Sequence, residues 1–242
     1  MSGHSKWSKI QHKKGKNDAS RGQMFTKLCR AITLAAKEGG GDEDMNFSLR
    51  LAVQKAKTEN VPKDNIERAI KRGTGDLKDS AIFEEVLYEG FGPNGVAILV
   101  DTSTDNINRT VSEVKHALSR FGGSLGGPGS VTWQFEKKGV IRFTADKKND
   151  ISDWEEIQLE LMDAGADDIK DEEEGVEILS SVENFKQVLN LFEKLNITPD
   201  EAGLAWIPKE EMTADDELVE KTQKIIEALD ELDDVREVYT NV

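Results

Sequence analysis

Residues 139–207 read GVIRFTADKKNDISDWEEIQLELMDAGADDIKDEEEGVEILSSVENFKQVLNLFEKLNITPDEAGLAWI, and their periodicity decides the fold. Gly139–Thr144 is strand-like, a short run of β-branched and aromatic residues. Ser152 followed three residues later by Glu155 is a capping-box pattern, and Trp154, Ile157 and Leu161 give the ensuing helix an apolar side. Asp168–Lys170 and Val176–Leu179 pair as a hairpin around an acidic turn. Ser181 caps a second helix with Phe185, Val188, Leu189 and Phe192 on one face, and Leu204–Ile207 supplies a last strand. The order β-α-β-β-α-β is the ferredoxin-like split motif, an α+β arrangement.

The flanking sequence is a second domain cut in two. Phe83–Phe91 and Val96–Thr102 are β-like and joined by Gly90-Phe91-Gly92-Pro93-Asn94-Gly95, a hairpin loop. A helix capped at Thr104 or Asp105 follows, with Ile107, Val111, Val114, Leu118 and Phe121 at helical spacing. Gly122-Gly123 closes it, and a loop, Ser124-Leu125-Gly126-Gly127-Pro128-Gly129, leads to a strand predicted over Ser130–Phe135. This set stops at β-β-α-β. Its missing helix (Thr213–Leu232) and strand (Val235–Thr240) stand at the C-terminus. Residues 136–207 are therefore read as an acidic α+β domain inserted into a central α+β domain made of 77–135 and 208–242.

Residues 1–76 are of another kind. A helix from Ser20 carries Met24, Phe25, Leu28, Ile32 and Ala35 on one stripe at about 100° per residue, with Lys27, Arg30 and Lys37 expected opposite and Gly39-Gly40-Gly41 as its stop. A second helix spans Asp44–Glu59. A third starts at Pro62, with Val61 and Ile66 as a hydrophobic staple, and ends on Lys71, Arg72 and Gly73, where the helix dipole favours cations. The expected whole is three domains: an N-terminal helical bundle and two ferredoxin-like ones, the third inserted into the second.

Charge is distributed as unevenly as structure. The 242-residue chain has a formal net charge of -15, yet residues 1–76 carry +7, 77–149 are neutral and 150–242 carry -22. Such asymmetry argues that one end meets a polyanion. The first thirty residues, MSGHSKWSKIQHKKGKNDASRGQMFTKLCR, form a basic arm in which His4, Trp7 and His12, planar groups able to stack on bases, are interleaved with Lys6, Lys9, Lys13, Lys14 and Lys16. With Arg21, Lys27 and Arg30 these are the expected nucleic-acid-binding residues. Lysine reads phosphate more than base identity, and no helix-turn-helix with an evident polar recognition face emerges. Cys29 is the only cysteine, which excludes an intramolecular disulfide and suits a reducing compartment. There is no apolar leader and no run of eighteen apolar residues. The expected location is cytoplasmic, with no membrane partner.

Gly3-His4-Ser5-Lys6-Trp7, then Arg21-Gly22 with Phe25 and Lys27, then Tyr88-Glu89-Gly90-Phe91-Gly92-Pro93-Asn94-Gly95-Val96-Ala97, then Gly129-Ser130-Val131-Thr132-Trp133-Gln134-Phe135 together resemble the YebC family, in order and over essentially the whole chain. The resemblance implies three domains and nucleic-acid binding in the control of gene expression, either as a DNA-binding transcriptional regulator or as an RNA- or ribosome-binding translation factor.

Nothing in the residues points to catalysis, a cofactor or a small-molecule substrate. No nucleophile, base and orienter can be placed together from spacing. His116 reads as a surface side chain beside an apolar stripe. His4, His12 and Cys29 lack zinc-site spacing, and the carboxylates Asp167, Asp168 and 171–174 read as a solvated turn with no metal. The loop 124–129 runs from helix to strand and lacks a Gly-Lys-Ser/Thr ending, so it reads as a structural turn and not as a phosphate loop.

Overall fold

A computed structural model describes residues 18–77, 83–149, 151–173 and 175–242. No helix among them is long and apolar enough to cross a membrane. Three helices come first: α1 (Asp18–Gly39), α2 (Phe47–Thr58) and α3 (Lys63–Gly73). Asn46 caps α2 by accepting the Leu49 amide on its side chain, 3.1 Å away. Ile32, Ala35 and Ala36 of α1 pack on Leu49, Val53 and Ala56 of α2 and on Ile66 and Ala69 of α3. The α1–α3 approach is close because Gly73 has no side chain. A Cβ there would collide with the Thr33 carbonyl oxygen.

The central sheet contains β1 (Glu84–Phe91), β2 (Ala97–Thr104), β3 (Ser124–Leu125) and β8 (Val235–Thr240) in the order β3-β1-β2-β8. The β1–β2 hairpin turns at Asn94 and Gly95, both with positive φ, and the Gly92 amide donates to the Val96 carbonyl at 2.8 Å. Helices α4 (Ile107–Arg120) and α8 (Asp216–Asp230) cover one face. The core joins Ile98, Val100, Val114 and Leu118 to Ile225, Leu229 and Val238. The two halves of this domain thus share one core, and neither half can bury its apolar face alone.

Between them lie β4 (Phe135–Thr144), α5 (Ala145–Asn149), α6 (Trp154–Asp163), β5 (Ala166–Glu172), β6 (Gly175–Ser180), α7 (Phe185–Lys194) and β7 (Glu201–Pro208). Their sheet order, β5-β6-β4-β7 with β4 and β5 both antiparallel to β6, is that of the ferredoxin-like split motif. Phe143 centres the core, edge-to-face with Trp154 at 5.4 Å and against Phe192 at 5.9 Å. The central sheet has the same spatial plan, with its α8–β8 pair supplied from the C-terminus. Lys137–Ile207 forms one compact unit, and the described residues up to Glu136 together with Pro208–Val242 form the other.

Local expectations are corrected in four places. The N-cap of α7 is Asn184, without a side-chain cap bond, and the Ser181 hydroxyl accepts the Asn184 amide at 3.2 Å. The predicted strand Ser130–Phe135 is instead a turn and a 3₁₀ segment, Thr132–Gln134, and β3 is the two-residue Ser124–Leu125. Ser152 does not box with Glu155. Asp153, with φ of 56°, stands at the N-cap of α6 without a side-chain cap bond. The cap of α4 is Asn106, whose side chain accepts the Arg109 amide, while Thr104 accepts the Asn106 amide.

Candidate nucleic-acid interface

His4, Lys6, Trp7, Lys9, His12, Lys13, Lys14 and Lys16 lie outside the described residues, and Arg21 falls within α1 with its side chain outside them. Lys27 and Arg30 are described, and the structure turns both inward. Lys27 Nζ donates to the Asp230 carbonyl at 2.6 Å. Burial lowers its pKa, against the pull of Asp230, Glu237 and Asp233 and together with repulsion from Arg30. Arg30 lies over the Phe83 ring at 4.8 Å and donates to the carbonyls of Ser103 and Asp233 and to Asp234 Oδ1, at 2.7, 2.7 and 2.9 Å. The expected outward cationic face of α1 is therefore corrected at these two positions. The acidic turn that follows α8 competes for the cations and takes them.

Asp234 is the hub of that contact. Its side chain is 1% exposed and accepts from Arg30, Arg109, Thr104 and Thr110. Burial alone would raise its pKa. The bonds from Thr110, Arg109, Thr104 and Arg30 outweigh burial and lower it. One carboxylate from the C-terminal segment so ties α1, β2 and α4 together.

The outward cations of the helical domain sit elsewhere. Lys37 near the end of α1 and Arg68, Lys71 and Arg72 on α3 are exposed, and Arg68, Lys71 and Arg72 share a face at i, i+3, i+4. Gly73 meets the α1 backbone at Thr33 and Lys37, which brings the end of α3 to that part of α1. Arg72 and Arg68 also act on Cys29 of α1. Burial raises that thiol's pKa, and the two guanidinium groups oppose the rise.

The glycine-rich loop is anchored by Glu89, which the sequence marks only as a member of the Tyr88–Ala97 motif. Glu89 is 7% exposed. Its carboxylate accepts the amides of Gly129, Val131 and Thr132 at 2.5, 2.7 and 2.8 Å, and its carbonyl accepts that of Gly126 at 2.7 Å. Burial would raise its pKa, but the bonds from Thr132, Val131 and Gly129 prevail and bring it to about 2. Converging loop amides are what a phosphate would use. Here an internal anion, the Glu89 carboxylate, takes the amides of Gly129, Val131 and Thr132. The same bonds curl the chain away from the predicted strand. Trp133 follows, 67% exposed, with its indole N–H donated to the Ser130 carbonyl at 3.1 Å.

His116 is exposed on α4. In the acidic stretch Asp167 pairs with Lys138, and Asp171 pairs with Lys148 and accepts from the Trp154 indole. Among the described residues no group of three or more His, Cys, Asp or Glu side chains converges as a metal ion requires.

Two domain models match the sequence: the TACO1/YebC protein N-terminal domain over residues 5–76, and the TACO1/YebC second and third domain over residues 83–242. The chain belongs to the TACO1/YebC family. A Thermoanaerobacter pseudethanolicus relative named "Probable transcriptional regulatory protein" is 50% identical over 242 residues, covering 100% of this chain and 97% of the relative. A Thermotoga maritima protein of the same name is 46% identical, with 100% and 93% covered. The crystal structure of a conserved hypothetical protein from Aquifex aeolicus superposes with a TM-score of 0.80 at 42% identity, over 96% of this chain and 94% of that one. In this TACO1/YebC chain the two central sequence motifs, Tyr88–Ala97 and Gly129–Phe135, are one structural unit. The first contains the carboxylate that holds the backbone of the second.

Proposed function

We propose that this chain is a cytoplasmic, nucleic-acid-binding regulator of gene expression that acts on transcription through DNA. Full-length identity to relatives named as transcriptional regulatory proteins carries the reading. Charge supports it. The first 76 residues hold +7 in a chain of -15, and a cationic arm joined to outward cations at Lys37, Arg68, Lys71 and Arg72 suits a phosphate backbone. The arm residues His4, Lys6, Trp7, Lys9, His12, Lys13, Lys14, Lys16 and Arg21 make the first contacts. Lys27 and Arg30 hold α1 to the central domain. The acidic remainder, repelled by DNA beyond the footprint, limits non-specific coating.

A second reading, an RNA- or ribosome-binding factor, is favoured by one feature of the arm: Trp7, His4 and His12 among lysines suit exposed bases. Crosslinking in cells separates the two. Recovery of the protein on promoter DNA supports the transcriptional reading, and co-sedimentation with ribosomes without promoter recovery overturns it.

A further inference from the structure

Trp133 is an unusual place for an exposed tryptophan. The residue is 67% exposed, yet the loop bearing it is held by four hydrogen bonds to a single residue, Glu89. The indole N–H is already donated to Ser130, which fixes the ring and leaves its face as the part that remains to be covered. Behind it, Lys209 donates its amide to the Gln134 carbonyl and its Nζ to the Trp133 carbonyl, both at 2.9 Å. An ammonium therefore stands at the root of the ring. Gly127 and Gly129 are exposed, and a Cβ built on either would meet no atom within 4 Å, so the loop that precedes Trp133 is open to solvent.

An apolar protein anchor would be ringed by further apolar side chains. In the chain Trp133 stands between Thr132 and Gln134, its indole bonded to Ser130 and its carbonyl to Lys209, while Val131 is buried beneath the loop. A π-face of fixed orientation, a nearby cation and a small polar rim suit a nucleotide. We infer that Trp133 is a stacking platform for an unpaired base of single-stranded nucleic acid, with Lys209 facing the adjoining phosphate and Glu89 acting as the positioning residue. The inference rests on the nucleic-acid reading above and adds a contact in the central domain, remote in sequence from the basic arm. Because Glu89 already orders the loop, stacking incurs little further entropy cost.

The test uses the full chain and labelled oligo(U), oligo(dT) and a blunt duplex of mixed sequence. Trp133→Ala should weaken binding of the single strands roughly 5- to 100-fold, as expected for loss of one stacked base, and leave duplex binding and thermal melting unchanged. Trp133→Phe should retain most of the affinity. In a chain with Trp7, Trp154 and Trp206 each replaced by Phe, fluorescence of the remaining Trp133 should be quenched as oligo(U) is added. Comparison of oligo(U) with oligo(dT) distinguishes RNA from DNA as the source of the base. Wild-type affinity in Trp133→Ala, with binding still lost on deletion of residues 1–20, overturns the platform and spares the nucleic-acid reading. Equal weakening on single strand and duplex also overturns it. Failure of the wild-type chain to bind any of the three probes at low salt overturns both.

Discussion

Glu89→Gln removes one charge and almost no volume, and it tests the loop anchor directly. In the folded chain the carboxylate has a pKa of about 2 against an ordinary 4.5. At about 1.4 kcal/mol for each pH unit of separation, the charged form stabilises the fold by roughly 3 kcal/mol. A glutamine can still accept through its oxygen, but its NH₂ group faces backbone amides that are themselves donors, leaving at least one buried group unsatisfied. The expected loss at pH 7 is about 2–4 kcal/mol. The sign with pH follows from a depressed carboxylate. Its contribution is fully present above pH ~4.5 and disappears as the pH falls toward 2. Urea unfolding of both proteins between pH 7 and pH 2 is the assay. The difference between wild type and Glu89→Gln should be constant from pH 7 to about 5 and shrink steadily below that, while the many other carboxylates cancel in the comparison. A difference that stays constant down to pH 2, or one below about 0.5 kcal/mol at pH 7, would falsify the claim that this carboxylate holds the loop.

Reversing the charge of the pair, Lys27→Glu with Arg30→Glu, should lower stability by about 3–5 kcal/mol because it sets carboxylates against Asp234 and the Asp230–Asp233 turn; unchanged melting would return these residues to an outward face. Arg68→Glu with Lys71→Glu and Arg72→Glu should instead cut duplex DNA affinity at least tenfold while stability moves by no more than about 1 kcal/mol, as read by gel shift and melting on the same preparation. Deleting residues 1–17 should leave the melting curve unchanged and flatten the dependence of log K on log salt, which for about six phosphate contacts has a slope near -4 to -5; an identical slope in the truncated chain argues against the arm. Phe192→Ala should cost the inserted unit about 3–5 kcal/mol with no effect on DNA binding, as followed by near-ultraviolet circular dichroism and gel shift.

What was legible in the sequence is what periodicity encodes. The inserted domain's strand order follows from β-α-β-β-α-β because two crossovers of one hand leave few arrangements. The split of the central domain follows from counting the strands and helix that its first half lacks. Side-chain hydrogen bonds carry no period, and there the reading fails. Ser130–Phe135 has strand composition, but Glu89, some forty residues earlier, takes the amides a strand would have given a neighbour. The only sign in the sequence is a carboxylate within a strand, beside the glycine of Glu89-Gly90.

The basic helix face fails for an instructive reason. The α1 stripe locates the side of the helix that packs in its own bundle, and Ile32 and Ala35 do pack there. Periodicity then assigns every cation on the opposite side to solvent. That inference holds only when one neighbour exists. Here α1 has two: the bundle on its apolar stripe, and the acidic turn after α8 on its cationic side, some two hundred residues later. Arg30 can be buried to 11% exposure because three oxygen acceptors and the Phe83 ring meet it, which offsets the cost of removing a guanidinium from water. The net charge of -22 in the last segment predicts a surface repelled by nucleic acid. Part of it, at Asp234, is internal and neutralises the helical domain's own arginine. A charge pattern therefore identifies the partner of a segment only after the acidic segments of the same chain have been considered as that partner.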